Sequence, residues 1–114
     1  MERKPKTIDI ETKEKEYFEG GGFHRTAISK KGEGVDLTVH FSNIKPGQSH
    51  SWHSHEQDEV MYIIQGAGKY ILEKGEIHYK AGDFVFVPRG TFHENVVVSE
   101  EDVVLVAIFN PAQF

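Results

Sequence analysis

Residues 51–66 read SWHSHEQDEVMYIIQG. A strand points successive side chains to opposite faces, so residues of one parity share a face. His53, His55, Gln57 and Glu59 are all odd-numbered, whereas Glu56 and Asp58 fall on the other face. Parity therefore selects Glu59 from the three nearby carboxylates. The same face runs on into Met61 and Ile63, which suit a buried interior. One end of the segment thus carries groups that ligate metals through nitrogen and oxygen, and the other end carries core.

A third histidine comes from a distance. His93 follows the turn Pro88-Arg-Gly90 in the run TFHEN. A ligand from a separate strand makes metal binding depend on the fold, and its in-phase neighbour Asn95 offers a polar contact inside the same pocket. Three imidazoles and one carboxylate leave open positions on a five- or six-coordinate metal, the mark of a catalytic rather than a structural centre. The donors suit Fe(II), Mn(II), Ni(II), Co(II), Cu(II) or Zn(II) without choosing among them.

The other histidines receive the plainer reading. His24, His40 and His78 read as ordinary surface residues. His50 lies near the cluster but across a turn and on the opposite parity, and it stays open between a surface residue and a ligand or partner of the ligands.

The rest of the chain is patterned as short strands. Val35–Ser42 alternates with its apolar face at Val35, Leu37, Val39 and Phe41. Turn signals at Lys45-Pro-Gly47, Lys74-Gly75, Ala81-Gly-Asp83 and Pro88-Arg-Gly90 separate the apolar runs Glu59–Gln65, Lys69–Glu73, Glu76–Lys80 and Phe84–Val87. Thr91–Val98 and Val103–Phe109 close the series around the acidic turn Ser99–Asp102. No segment sustains a helical period. Regular strands and turns of this kind predict an antiparallel sandwich or barrel.

The 114 residues suffice for one domain. The absence of cysteine excludes disulfides, thiolate zinc sites and cysteine nucleophiles. The net charge of -5 with dispersed Lys and Arg argues against nucleic-acid binding. The longest apolar run, Val103–Phe109, is too short to be a membrane helix. No apolar signal segment follows Met1–Pro5, which favours the cytoplasm. Residues 1–22 read as a charged N-terminal arm, with Thr7–Ile10 as a short strand and Gly20–Gly22 as a hinge. The arm either folds back on its own barrel, residues 23–114, or is exchanged between subunits.

At this point the chain resembles the cupins. Their first motif is Gly, five residues, His-x-His, three or four residues, Glu, six residues, Gly. It is met by Gly47, His53-Ser-His55, Glu59 and Gly66. The second is Gly, five residues, Pro-x-Gly, two residues, His, three residues, Asn. It is met by Gly82, Pro88-Arg-Gly90 and His93, with Val97 in place of the final Asn. The short spacer Ala67–Ala81 is similar to that of small microbial members. The resemblance implies an all-β, cupin-like double-stranded β-helix (a jelly-roll barrel). It also implies one divalent transition metal ion on His53, His55, Glu59 and His93, and a homodimer formed by N-terminal strand exchange.

Fold does not dictate reaction. The leading expectation is a metal-dependent, oxygenase-type enzyme acting on a small organic substrate, with Glu59 both ligand and general base. Met61, Ile63, Phe84, Phe86 and Trp52 are candidate pocket walls. The alternatives are a non-catalytic module that binds an organic acid or sugar, and a metal-dependent isomerase, decarboxylase or lyase.

Overall fold

The computed structural model describes residues 3–114. Among these, ten strands form two antiparallel sheets that face each other as a jelly-roll barrel. The larger sheet runs in the order β1 (Glu16–Tyr17), β2 (Phe23–Ile28), β3 (Thr38–Ile44), β10 (Val103–Asn110), β5 (Asp58–Gln65), β8 (Phe84–Val87). The smaller runs β4 (Ser49–His53), β9 (His93–Val97), β6 (Ala67–Leu72), β7 (Glu76–Lys80). The only helical pieces among the described residues are a 3-10 turn at Ile10–Thr12 and one α-turn, α1 (Lys30–Glu33).

The core lies between the sheets. Met61, Ile63, Leu105 and Val85 face inward from the larger sheet and meet Tyr70 and Tyr79 from the smaller. Burying each aliphatic side chain contributes about 1.5–3 kcal/mol. Alternation is strict in β8, β9 and β10, and in β5 as far as Ile64, with every second residue buried. Two glycines permit close approaches. Gly66 (φ +85°) ends β5 where a Cβ would stand 2.6 Å from the Asp102 carbonyl, and Gly68 leaves room for the Tyr79 ring.

In β3 the structure inverts the expected phase. Thr38, His40, Ser42 and Ile44 are buried, whereas Val39 and Phe41 are half-buried on the outer face. The polar set faces inward because it lines a cavity, where its groups find partners. His40 Nδ1 meets Thr26 Oγ1 at 3.1 Å, His40 Nε2 meets Gln113 Oε1 at 3.1 Å, and Thr38 Oγ1 accepts from the Gln113 amide at 2.9 Å.

The arm folds differently from its sequence reading. Thr7–Ile10 is not a strand. Asp9 instead caps the 3-10 turn by accepting from the Glu11 amide at 3.1 Å, and the pairing strand is Glu16–Tyr17, laid against Phe23 and His24 of β2. Arg25 Nη1 holds the arm by donating to the carbonyls of Ile10, Glu11 and Lys13. Gly20 docks on β4, accepting from the Ser49 amide at 3.1 Å, so the glycines here form a packed turn.

Candidate metal centre

The segment 53–59 is not one strand. His53 ends β4 in the smaller sheet, His55 lies in the crossing loop, and Glu59 is the second residue of β5 in the larger sheet. The premise of a single shared face is therefore corrected: the chain changes sheets in mid-segment, and the side chains converge from both walls of the barrel. Glu59 is buried, whereas Asp58 sits on the rim and accepts from the Arg89 amide at 2.9 Å. His93 opens β9 directly opposite His53.

One ligating nitrogen from each of His53, His55 and His93 lies within 4.8 Å of the others. Glu59 Oε1 is 3.1 Å from His55 Nε2 and 3.7 Å from His93 Nε2. Each imidazole is oriented the same way, through a backbone carbonyl two residues off. His53 Nδ1 is 2.6 Å from the Ser51 carbonyl, His55 Nδ1 is 2.9 Å from that of Gln57, and His93 Nδ1 is 2.8 Å from that of Thr91. A carbonyl only accepts, so each Nδ1 carries its proton and each neutral ring keeps its lone pair on Nε2. This is the outer-shell arrangement that presents histidine to a metal.

The donor set also has an electrostatic conflict that a cation resolves. The lone pairs of His55 and His93 face a buried carboxylate. Without a cation between them, the short His55–Glu59 contact needs a proton to bridge it. Burial lowers the affinity of His55 for that proton, but the hydrogen bond to Glu59, the Glu59 charge and the Gln57 carbonyl outweigh it and leave the pKa raised. His93 moves the other way, lowered mainly by burial against the raising effect of the Thr91 carbonyl. A divalent ion would satisfy both rings and the carboxylate at once, so the residues present fit a metal.

The cluster forms one end of a narrow cavity with room of about 30 Å³, open at one side to solvent. Its apolar wall is Met61, Leu105, Ala107 and Phe109. Its polar wall is a relay: Tyr79 Oη donates to Asn95 Oδ1 at 2.5 Å, Asn95 Nδ2 donates to Tyr70 Oη at 3.1 Å, and Tyr70 Oη donates to Met61 Sδ at 2.7 Å. Burial raises the pKa of both tyrosines, so they stand as neutral hydroxyls.

Three more histidines line the cavity. His40 is buried and stacked on His24 at 3.7 Å between ring centroids. Burial, then repulsion from His24, lowers the His40 pKa to about 4. His50 stacks on His53 at 4.1 Å and on Phe18 at 3.9 Å. Burial and the neighbouring imidazoles lower its pKa to about 3.

The surface reading of His24 and His40 is thus overturned, and that of His78 stands, since its side chain is exposed. The missed signal was parity. His24, Thr26, His40 and Ser42 are the even-numbered polar positions of two paired strands. Among the proposed walls, Met61 lines the cavity and Ile63 is core. Phe84, Phe86 and Trp52 are exposed, because Val85 and Val87 take the inward positions of β8 and Trp52 stacks on Phe92 outside the barrel.

Residues 40–109 match the family model of the cupin domain. The chain is a cupin. It is similar to an uncharacterized protein of Aquifex aeolicus (strain VF5), 32% identical over 111 residues, covering 95% of this cupin and 87% of that protein. It is also similar to the acireductone dioxygenase of Gluconacetobacter diazotrophicus, 36% identical over 63 residues. That match covers 52% of this chain and 35% of the dioxygenase. A match to the (S)-ureidoglycine aminohydrolase of Escherichia coli (strain K12), 36% identical over 55 residues, covers 47% of this chain and only 21% of the enzyme. Among solved structures, a predicted oxalate decarboxylase of Thermotoga maritima superposes with TM-score 0.80 at 20% identity, covering 91% of this cupin and 97% of that chain. That likeness shows the fold. No helix among the described residues is long and apolar enough to cross a membrane.

Proposed function

We propose that this cupin is a metal-dependent enzyme acting on a small organic substrate, with oxygenase-type chemistry as the leading class. The observation that carries the proposal is the common orientation of His53, His55 and His93, each with Nδ1–H spent on a carbonyl, around the buried Glu59 carboxylate at the end of a cavity. These four residues would hold the metal. When bound, a divalent ion supplies Lewis acidity and a template for substrate oxygens, and iron, nickel or copper adds one-electron chemistry with dioxygen.

The remaining steps belong to the chain. Met61, Leu105, Ala107 and Phe109 exclude water from one side of the substrate. The Tyr79–Asn95–Tyr70 relay fixes the Asn95 amide, so that wall is rigid before substrate arrives. His50 presents a neutral imidazole at neutral pH, which accepts or donates a hydrogen bond without adding charge, whereas both nitrogens of His40 are taken up by Thr26 and Gln113. Glu59 lies closest to both ring nitrogens and would take a substrate proton as general base.

The dioxygenase likeness supports oxygenase-type chemistry. The aminohydrolase likeness keeps hydrolytic chemistry within the test, beside the isomerase, decarboxylase and lyase alternatives. The metal-stripped protein is reloaded separately with iron, manganese, nickel, cobalt, copper and zinc. Each form is given small carboxylic acids, diketones and flavonoids, with dioxygen uptake and products recorded. Dioxygen-dependent turnover in one metal form is the expected result. Turnover without dioxygen uptake replaces the oxygenase class by isomerase, decarboxylase or lyase chemistry. Saturable binding with no turnover in any form refutes the enzyme and leaves a binding module.

A further inference from the structure

The cavity wall carries a hydroxyl whose proton is spent on a poor acceptor. Tyr79, Asn95 and Tyr70 orient one another in a fixed sense. Tyr79 Oη donates to Asn95 Oδ1, which turns the amide so that its Nδ2 donates to Tyr70 Oη at 3.1 Å. A phenol has one proton to give. Tyr70 Oη accepts from Asn95, so its own proton goes to Met61 Sδ, 2.7 Å away. A thioether is a weak acceptor. Tyr70 and Met61 both line the cavity.

This hydroxyl stands beside the donor set. The Tyr70 ring lies 5.8 Å from that of His93, centroid to centroid. Burial, then the charge of Glu59, raises the Tyr70 pKa well above its ordinary value, so the group keeps its proton and remains a donor. The lining residues include neither lysine nor arginine. An oxygen that turns negative away from the centre must therefore be met by a neutral donor. His40 is not free for that task, since Thr26 and Gln113 take up both its nitrogens. Room of about 30 Å³ holds about two waters, which limits the part of a ligand beside the centre to about three heavy atoms.

Exchanging sulfur for oxygen favours the hydroxyl twice over. A hydrogen bond to an anionic oxygen is roughly twice as strong as a neutral one. The group is already buried, so the exchange costs no further loss of water, and the Asn95 amide keeps it aimed. We infer that Tyr70 donates its hydrogen bond to an oxygen of the substrate, and that Met61 Sδ holds that proton's place until the substrate arrives. The substrate is then a small compound with two oxygens on one carbon or on neighbouring carbons. One oxygen is for the centre formed by His53, His55, Glu59 and His93, the other for Tyr70; this role rests on those four residues being the metal centre proposed above.

Formate, which carries two oxygens on one carbon, is the probe. It is titrated into the cobalt-loaded protein, with cobalt content measured by elemental analysis and binding followed in the visible spectrum of the cobalt. Wild type should bind formate. Tyr70→Phe should bind it about tenfold more weakly at unchanged cobalt content. Met61→Leu conserves volume and removes the competing sulfur, so it should bind formate as tightly as wild type or more tightly. Wild-type affinity in Tyr70→Phe overturns the donor role. So does a Met61→Leu protein weakened as much as Tyr70→Phe, since a merely structural contact behaves that way. A loaded wild type that binds no formate overturns the substrate class and the role together. A chain that takes up no cobalt refutes the metal centre itself, and the role of Tyr70 falls with it. Should Tyr70→Phe not fold, the Tyr70 hydroxyl proton of the zinc-loaded wild type decides by NMR. It should move downfield when formate is added, because an anionic oxygen is a stronger acceptor than a thioether. An unmoved resonance refutes the role.

Discussion

Protonation of His40 should destabilise the metal-free protein, by an amount its surroundings set. The ring is buried, hydrogen-bonded to Thr26 and Gln113, and faces His24 in parallel at 3.7 Å. A proton on His40 would place a charge in a poorly hydrated site against a second imidazole. Its pKa is accordingly about 4, against an ordinary 6.5. Between those values the unfolded chain binds a proton that the folded chain refuses. Stability is therefore complete above about pH 6.5 and falls as pH drops toward 4. The full difference is about 3 kcal/mol, most of which is lost between about pH 7 and about pH 4.5. His50 adds a loss of the same sign and His55 an opposing gain, so wild type alone does not isolate the effect. Comparison with His40→Gln does, since glutamine keeps hydrogen-bonding capacity without a titrating ring. Urea unfolding of both chelated proteins at the two pH values is the assay. The variant should lose about 2 kcal/mol less than wild type on acidification. Equal losses, within about 0.5 kcal/mol, would refute the assignment of this charge penalty to His40.

Elemental analysis of His53→Ala and His93→Ala should show metal lost from both, and full retention in either would remove that residue from the ligand set. Holding the loaded wild type below about pH 6 should release the metal as the imidazoles protonate; retention well below that pH counts against three histidine ligands. Glu59→Gln should weaken metal binding at least about tenfold, and in the metal-free protein it should lower the His55 pKa followed by NMR, because the hydrogen bond and charge that raise it are gone; an unmoved His55 would show that Glu59 is not the cause. Gly68→Ala would drive a Cβ into Tyr79 Oη and to 2.7 Å from the Val96 carbonyl. It should cost about 1–3 kcal/mol in chemical unfolding, and an unchanged midpoint would mean the sheet moves aside.

Where alternation coincided with burial, the barrel was readable in advance. β5 and β10 bury Met61, Ile63, Leu105 and Phe109 in the phase that hydropathy indicates. Hydropathy failed in β3 because two environments exchanged their usual contents. The inside is a polar cavity satisfied by Thr26 and Gln113, and the outside is apolar. Residue type therefore pointed Val39 and Phe41 inward and His40 outward, the reverse of what the structure shows. In the 53–59 segment residue types were informative, but parity assumed a continuous strand. A crossing between sheets leaves little trace in a sequence of alternating polar residues. Phe84 and Phe86 were ambiguous for a related reason: in FVFV both phases are apolar, and only the smaller valines fit the interior.

The stack of Phe18 on His50 on His53 ties the arm to a candidate ligand, and Gln113 and Phe114 reach His40 from the other end of the chain. Phe18 therefore lines the cavity itself, and Gln113 and Phe114 brace one of its lining histidines from behind. An affinity tag or fusion partner that pulls on residues 16–22 or 112–114 would not be a neutral handle. It would act on the ring stacked against the candidate ligand His53 or on the hydrogen bond between Gln113 and the buried His40. Metal content and activity measured on tagged protein would then describe the tag as much as the cupin, and removing it by protease before any assay would change the result.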